Sequence, residues 1–318
     1  MGFSHKSVLL EESITGLAIR PDGVYVDGTA GGGGHSLEIA RRLDPSVGRL
    51  IALDKDPDAI TAASERLKPY PCAKVVQSDF SQIPEVLDSF GISHADGILL
   101  DLGVSSHQLD TPERGFSYHA DAPLDMRMSQ SGFSAYDLVN QWDAGEMARV
   151  FREFGEERYS LPIAKNIVRA REKKPVATTG ELAEIIASSI PAAARREGGH
   201  PAKRTFQAIR IAVNGELDSL SQCLDSAFER LSGGGRFCII TFHSLEDRMV
   251  KQKFSALSKG CICPPDFPVC VCGRKPQAVL ITRKPIVPSP EELVENSRSH
   301  SAHLRIVERI VEESAATV

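Results

Sequence analysis

The sequence predicts an α/β fold whose doubly wound parallel sheet is interrupted by a helical segment. Short runs rich in Val, Ile and Leu alternate with helical patterns over the first hundred residues. The alternation stops near residue 110, and a strand pattern returns near residue 236. A chain of 318 residues is long enough for about two domains. We therefore expect one α/β domain, residues 1–110 and 210–318, and one inserted helical domain, residues 111–209.

Four strands are predicted in the first part of the chain. The strands of a parallel sheet are covered on both faces, so they appear as continuous apolar runs. Pro57 favours the start of a helix because its fixed backbone angle suits the first turn. The strands are predicted at residues 24–29, 49–54, 73–78 and 97–102, and the helices between them at residues 36–43 and 57–67.

The rest of the chain is predicted to be mostly helical until a triple glycine at residues 233–235, which closes a helix and precedes a strand. The helices predicted here are residues 144–154, 161–173, 179–192 and 216–231, and the strands are residues 236–242, 277–283 and 303–310.

Composition excludes several classes of protein. The chain is 42% hydrophobic and 25% charged, which is typical of globular domains and not of disordered or collagen-like chains. No apolar run approaches the length of a membrane helix, and the N-terminus lacks the apolar stretch of a signal peptide. Seven cysteines, an odd number, favour a reducing compartment, so we expect the cytoplasm. The net charge of −5 means that nucleic acid would have to bind a local basic patch.

A glycine-rich loop, residues 27–35, lies between the first predicted strand and its helix. Glycine allows a tight turn and lets a ligand approach the backbone closely. Asp54 ends the next strand, where a carboxylate can accept hydrogen bonds from both hydroxyls of a ribose. The combination indicates a nucleoside-containing cofactor, and both NAD and S-adenosylmethionine fit it.

Two features favour S-adenosylmethionine. The pyrophosphate-binding spacing Gly-x-Gly-x-x-Gly is met by Gly31 and Gly33 but fails at Ser36. Phe80 follows Asp79 after the third strand, where a ring can pack on adenine beside a polar group. Asp101 ends the fourth strand, at the edge where an open α/β sheet binds its ligands.

Six sequence blocks, spread in order along almost the whole chain, resemble the ribosomal RNA small subunit methyltransferase H family, also called MraW. The blocks are Asp27–His35, Asp101–Leu109, Arg114–Ser117, Pro123–Met128, Arg204–Arg210 and Phe242–Arg248.

The resemblance implies a class I S-adenosylmethionine-dependent methyltransferase fold, Rossmann-like, with an inserted helical domain for substrate recognition. It also implies methyl transfer to N4 of a decoding-centre cytidine in 16S rRNA of the small ribosomal subunit. Carried over position by position, the residues expected to bind the donor are Gly33, Gly34, His35, Asp54, Phe80, Asp101 and Gln108.

No catalytic base can be named from the sequence. Many methyltransferases that act on amino groups carry an (Asp/Asn/Ser)-Pro-Pro-aromatic tetrad after the fourth strand. This chain has Asp101-Leu102-Gly103-Val104 instead. Asp101 could bind the amino group of the donor, accept a hydrogen bond from N4, or do both. The methyl transfer itself requires no metal.

Candidate substrate residues follow from charge and position. The stretch from Arg195 to Arg204 carries four positive charges, which suit phosphate binding. Phe206 could stack on a base or lie in the core. His243 follows the strand predicted at residues 236–242 and could face the substrate or be a buried, hydrogen-bonded histidine. The helix after it carries a capping-box pattern from Ser244 to Asp247. The residues expected to contact RNA are Lys203, Arg204, Arg210 and His243.

Four cysteines lie within twelve positions: Cys261, Cys263, Cys270 and Cys272. Two close pairs across a turn can form a tetrahedral thiolate site for zinc. The spacing is tighter than the usual Cys-x2-Cys, and reduced thiols or disulfides would also fit, so the sequence leaves this choice open.

Three other functions stay open on the sequence. A methyltransferase of the same fold could act on DNA or protein. A non-catalytic ribosome assembly factor could retain the pocket, and a nicotinamide dehydrogenase could share the glycine loop.

Overall fold

The computed structural model describes residues 7–196, 199–264, 267–269 and 271–311. They form two compact units, one containing the described residues up to Gly103 and from Asp218 onward, the other containing Val104–Leu217. The insertion expected at residues 111–209 lies inside the second unit. No helix among the described residues is long and apolar enough to cross a membrane.

The first unit is built on a seven-stranded sheet with the order β3-β2-β1-β4-β5-β7-β6. The first five strands pair in parallel, whereas β7 runs antiparallel to both β5 and β6. The strands are β1 Val24–Asp27, β2 Arg49–Asp54, β3 Ala73–Gln77, β4 Ala95–Asp101, β5 Leu231–Thr241, β6 Ala278–Leu280 and β7 His303–Arg309.

Helices connect the parallel strands of the first unit and form most of the second. The helices are α1 Leu10–Leu17, α2 Gly34–Ala40, α3 Pro57–Leu67, α4 Ile83–Ser89, α5 Ser106–Asp110, α6 Ala135–Gln141, α7 Ala144–Glu153, α8 Ser160–Arg171, α9 Thr179–Ser189, α10 Lys203–Asn214, α11 Glu216–Glu229, α12 Ser244–Ser258 and α13 Pro290–Glu295. Short 3-10 turns occur at Phe80–Gln82, Pro112–Arg114, Ala194–Arg196 and Ser297–Ser301.

Side chains of the central strands alternate between two apolar clusters, one on each face of the sheet. In β1, Val26 packs in one cluster and Tyr25 in the other; in β4, Ile98 and Leu99 divide in the same way. Successive strand residues point to opposite faces, and helices cover both sides. The doubly wound architecture predicted from the continuous apolar runs is therefore confirmed.

The fifth strand begins earlier than predicted, at Leu231 instead of residue 236. Its pairing with β4 shifts register between Ala95 and Gly97, and Gly234 has a φ of 79°. A positive φ suits glycine, so the triple glycine forms an irregularity inside the strand as well as following helix α11.

The second unit has its own apolar core, formed largely by helices α6 to α10. Phe151 and Ile163 are fully buried there, and Met126 and Met128 pack in the same core. The two methionines therefore contribute to packing. This core contains no residue of the sheet, so helices and the loop residues packed against them form it without a strand of the first unit.

Candidate active site

Three parallel strands end in aspartate at one edge of the sheet. Asp27 is the last residue of β1, Asp54 of β2 and Asp101 of β4. Parallel strands place their carboxyl ends at the same edge, where the chain turns toward a helix and leaves a crevice. The first unit therefore gathers carboxylates where an α/β sheet binds ligands.

The glycine loop passes between this edge and helix α2. Gly33 adopts a left-handed conformation, with φ of 77°, at the N-terminus of the helix. At Gly28, an added Cβ would lie 2.4 Å from Leu100 Cδ2 and 3.1 Å from Phe80 Cβ. Gly28 is thus needed for close packing against Leu100 and Phe80, a role that its place in a glycine-rich loop does not reveal.

Asp54 holds the loop through backbone hydrogen bonds. Its Oδ2 accepts from the Gly31 N–H at 2.8 Å, and its Oδ1 accepts from the Asp56 N–H at 2.9 Å. Burial raises the pKa of Asp54 to about 6, although these hydrogen bonds oppose the change. Each carboxylate oxygen keeps a second lone pair for a ligand hydroxyl, as the expected ribose contact requires.

Asp27 joins the loop to the end of β4. Its side chain is almost fully buried and accepts hydrogen bonds from Ser36 Oγ at 2.5 Å and from the Thr29 N–H at 3.2 Å. Thr29 Oγ1 in turn accepts from the Asp101 N–H at 2.6 Å. Burial raises the pKa of Asp27 to about 6, with a further contribution from the negative charge of Asp54.

Asp101 carries an unsatisfied acceptor. Its Oδ1 is buried and has no hydrogen-bond partner among the described residues. Burial raises the pKa of Asp101 well above its ordinary range, and the neighbouring carboxylates Asp27, Glu246 and Glu292 raise it further. A buried acceptor without a partner is destabilising, so this atom is available to a ligand that donates a hydrogen bond.

His35 lies beside Asp101 in the neutral form. Its Nε2 is 3.1 Å from the Val8 carbonyl oxygen, which can only accept, so Nε2 carries the proton. Its Nδ1 lies 3.7 Å from Asp101 Oδ2. Burial lowers the pKa of His35 to about 4, so its Nδ1 lone pair faces the carboxyl group and does not neutralise it.

Glu246 and Glu292 belong to this site although no sequence pattern points to them. Glu246 Oε2 accepts from the Phe242 N–H at 2.8 Å, and Glu292 Oε1 accepts from the Leu9 N–H at 2.9 Å. Both are far along the chain from Asp101, and no local pattern links them to it. Asp27, in contrast, could have been selected because it ends its strand as Asp54 and Asp101 do.

Phe80 and Asp79 occupy the turn after β3. Phe80 is half-buried and packs against the core, beginning a 3-10 turn that Asp79 caps through the Ser81 N–H at 2.9 Å. Lys55 Nζ lies 2.9 Å from Asp79 Oδ2. Burial opposes ionisation of Asp79, but Lys55 and the cap outweigh it and lower the pKa. This carboxylate is neutralised by a lysine, unlike Asp101.

The charge of the site suits a cation. The negative charge of Asp54 disfavours ionisation of Asp27, and the charges of Asp27, Glu246 and Glu292 disfavour ionisation of Asp101. A positively charged ligand would relieve this repulsion. A sulfonium with a protonated amino group and a ribose meets both the charge of the site and the acceptors of Asp54.

Gln108 lies in the second unit. It is buried as the third residue of α5, where its Oε1 accepts from the Ser105 N–H at 3.0 Å and its own N–H donates to Ser105 Oγ at 3.2 Å. This reciprocal capping box stabilises the helix start. Its role in donor binding stays a prediction.

The N-terminus of helix α10 carries the predicted basic cluster. Lys203 and Arg204 are exposed, and Arg204 Nη1 donates to the Glu156 carbonyl at 3.2 Å. Phe206 is only 4% exposed and lies in the helical core, so it is not a stacking surface. Residues 197–198, within the predicted basic stretch, lie outside the described residues.

An aromatic pair, formed by the half-buried Tyr118 and the exposed His200, lies at this end of α10 instead. The rings of Tyr118 and His200 stack with centroids 4.3 Å apart and an interplanar angle of 10°. Phe206 contacts Tyr118 edge-on from inside the core, with centroids 5.4 Å apart. Sequence reasoning missed the pair because its two members are 82 positions apart (200 − 118).

The other two predicted substrate residues have structural partners. Arg210 forms a two-pronged ion pair with Glu216, with both N–O distances 2.8 Å. His243 is the N-cap of α12: its Nδ1 accepts from the Glu246 N–H at 3.4 Å. The capping box expected at Ser244 and Asp247 is therefore wrong by one residue, since a histidine takes the place of the usual hydroxyl. The RNA contacts of Arg210 and His243 stay predictions.

Comparison with known proteins identifies the family. The model of the MraW methylase family matches residues 2–310. The chain belongs to the MraW methylase family. This membership agrees with the resemblance found in the sequence blocks, and it makes the chain a methyltransferase that uses S-adenosylmethionine as its methyl donor.

Relatives of this MraW family chain match over nearly their whole length. A "Ribosomal RNA small subunit methyltransferase H" of Lachnospira eligens is 57% identical over 98% of this chain and 99% of its own. Proteins of the same name from Acetivibrio thermocellus, 57% identical over 98% and 100%, and Symbiobacterium thermophilum, 55% identical over 98% and 98%, are equally extensive matches. The similarity therefore covers both units of the chain.

Proposed function

We propose that this chain methylates rRNA of the small ribosomal subunit, at N4 of a cytidine in the decoding centre. The relatives named as small-subunit rRNA methyltransferases support the substrate class. The buried, unsatisfied Oδ1 of Asp101 supports the target atom, because an exocyclic amine donates hydrogen bonds and carries a proton that must leave. This acceptor in a methylase site is the observation that carries the proposal. The reaction belongs in the cytoplasm, as expected from the cysteine count.

The donor site divides its work among residues of the first unit. S-adenosylmethionine supplies an electrophilic methyl group on a cationic sulfur. Asp54 accepts hydrogen bonds from the ribose, Phe80 packs on the adenine, and Gly33 and Gly34 let the backbone of the loop lie close to the ligand. The carboxylate cluster binds the positively charged donor more tightly than the product that remains after methyl transfer, because the sulfur of that product is uncharged.

Asp101 positions the target amine. The N4 lone pair of cytosine is delocalised into the ring, so N4 is a weak nucleophile and its alignment with the methyl group matters most. Oδ1 of Asp101 accepts one N4–H and holds the amine in line. A cation bound among the carboxylates favours the ionised form of Asp101, which then takes the proton that N4 releases after attack. His35 stays neutral beside Asp101 and leaves the negative charge of that carboxylate uncompensated.

The second unit recognises the RNA through helix α10. Lys203 and Arg204 are exposed cations suited to phosphate, and Tyr118 stacked on His200 offers a ring to an unpaired base. A base must leave its stack before it can be methylated, which requires a few kcal/mol unless the RNA is already open. Stacking of the base on Tyr118 or His200 would offset part of the free-energy cost of unstacking it.

The experiment is methylation in vitro with mass spectrometry of the nucleosides. The purified chain and labelled donor are offered small subunits, naked 16S rRNA, total DNA and ribosomal protein in parallel. We expect N4-methylcytidine from the rRNA samples, and its absence from the same rRNA in cells that lack the gene. Label on another atom of cytosine would contradict the N4 assignment, and label only in DNA or protein would contradict the substrate class. A chain that binds the donor but labels nothing would indicate an assembly factor.

A further inference from the structure

The segment that follows helix α12 brings cysteine thiols together. The Sγ atoms of Cys261, Cys263 and Cys272 all lie within 4.8 Å of one another. Those of Cys261 and Cys272 are 3.8 Å apart, too far for a disulfide between these two residues. The fourth cysteine of this stretch, Cys270, lies outside the described residues. The three thiols belong to the first unit and take no part in the site proposed for the donor.

The spacing of the sulfurs matches a metal site. Thiolates bind zinc at ~2.3 Å with tetrahedral geometry, and two ligands at that distance on a tetrahedron are ~3.8 Å apart. The observed separation of Cys261 and Cys272, 3.8 Å, equals this edge. The two sulfurs could therefore bind a common ion without rearrangement of the chain.

Backbone N–H groups point at each of the three sulfurs. The Cys263 N–H lies 3.3 Å from Cys261 Sγ, the Ile262 N–H 3.5 Å from Cys272 Sγ, and the Val271 N–H 3.4 Å from Cys263 Sγ. Hydrogen bonds from donors favour the negatively charged form of an acceptor, and a metal binds the thiolate. The backbone is thus already arranged around charged sulfur.

The described residues of this segment bury little apolar surface. Ile262, Val269 and Val271 are 62%, 70% and 73% exposed. A short segment that cannot bury apolar surface needs another source of stability, which in small folds is a disulfide or a metal. In a reducing compartment a metal is the suitable cross-link.

A hydrogen bond at the base of the loop and two cations beside it also favour a metal site. The Gln277 N–H donates to the Leu257 carbonyl at 2.9 Å, which closes the loop where α12 leads toward β6. Lys259 and Arg274 line a groove together with Ile262. These cations lie beside a site in which three thiolates would outnumber the two positive charges of zinc, and they would compensate the excess.

We propose that Cys261, Cys263 and Cys272 bind a structural zinc ion. The ion fixes the loop between α12 and β6, and methyl transfer does not pass through it. Zinc fits better than calcium or magnesium because sulfur ligands select soft or borderline metals. The role is that of a closed structural site, in which cysteine ligands supply folding energy locally.

The test is the metal content of the full-length chain, purified without an affinity tag and without chelators. We expect about one zinc ion per chain by elemental analysis. Cobalt exchanged into the site should give thiolate-to-metal charge-transfer absorption and the intense visible bands of tetrahedral coordination. Cys263→Ser should lose the ion on dialysis, whereas Cys72→Ser, which removes a buried thiol elsewhere in the first unit, should retain it.

A second measurement addresses the possibility that Cys263→Ser misfolds. Titration of the folded wild-type chain with a mercurial that blocks thiols should release zinc in step with loss of the exposed thiols. Removal of zinc with a strong chelator should make the chain more sensitive to trypsin after Lys259 and Arg274, and restored zinc should reverse this. Wild-type protein without zinc, cobalt spectra without sulfur ligation, or iron in place of zinc would each overturn the proposal. These readouts need no RNA substrate, so they are independent of the proposed function.

Discussion

Replacing Asp54 by asparagine separates its role in ligand binding from its role in the fold. Burial raises the pKa of Asp54 from its ordinary value of 3.8 to about 6. Because one pKa unit corresponds to ~1.4 kcal/mol, keeping this carboxylate ionised at neutral pH costs about 3 kcal/mol. Asp54→Asn removes that penalty, but its NH2 group replaces one of the two acceptor oxygens, so the N–H of either Gly31 or Asp56 loses its hydrogen bond. A lost hydrogen bond to a charged group is worth roughly 1.5–3 kcal/mol, so the free energy of unfolding should stay nearly constant.

Donor affinity should change much more. A hydrogen bond between a ribose hydroxyl and a carboxylate is worth roughly 1.5–3 kcal/mol, which corresponds to a ~10- to 150-fold increase in Kd. Calorimetric titration with S-adenosylmethionine measures the affinity, and thermal unfolding without ligand measures the stability. Asp225→Asn, on the exposed surface of α11, is the control for charge. Wild-type affinity in Asp54→Asn would remove this residue from the donor site.

Four further outcomes are expected. Asp101→Asn should raise the melting temperature, because it removes one of several neighbouring carboxylates, while lowering kcat by roughly 10²-fold, as measured by single-turnover methyl transfer. Donor affinity should fall as the pH decreases from 7.5 to 5, since groups with pKa values near 6 must be ionised to bind the cation; one such group alone predicts a loss of ~10-fold at pH 5. Gly28→Ala should lower the free energy of unfolding by about 1–3 kcal/mol, because its Cβ would meet Leu100 at 2.4 Å. Lys203→Ala with Arg204→Ala should reduce the salt dependence of RNA binding by ~0.7–0.9 in slope per lost phosphate contact.

Two of these outcomes, the salt dependence and the stability of Gly28→Ala, have matched control variants. Lys165→Ala with Arg169→Ala removes two exposed cations from α8 in the same unit and should leave the salt slope unchanged. Gly199→Ala adds a Cβ with no atom within 4 Å and should leave stability unchanged. A less stable Asp101→Asn would contradict the carboxylate repulsion, and constant affinity down to pH 5 would mean that the buried carboxylates do not bind the donor. An equal loss of slope in both double variants would show that the contribution of α10 is not specific.

Most of the sheet was predictable because a short, continuous apolar run in the sequence marks each of its parallel strands. The bounds predicted for β2, residues 49–54, are those observed, since a purely apolar run ends there at a polar residue. The start of β5 was not predictable, because three glycines indicate a helix end and only pairing with β4 shows that the strand continues through them. Phe206 was ambiguous for a similar reason: one aromatic residue in a basic segment does not reveal which face of its helix is covered.

What the sequence alone determined are the features set by neighbours along the chain. These are the alternation of strands and helices, the glycine loop, the aspartates at strand ends and the family blocks. Three features became visible only in the folded chain: Asp101 has a buried oxygen without a partner among the described residues, Glu246 and Glu292 add their charge beside it, and Tyr118 stacks on His200. The physical reason is the separation along the chain over which each kind of interaction acts. Backbone periodicity and turn chemistry act over a few residues, whereas burial and Coulomb interactions depend on which distant segments the fold packs together.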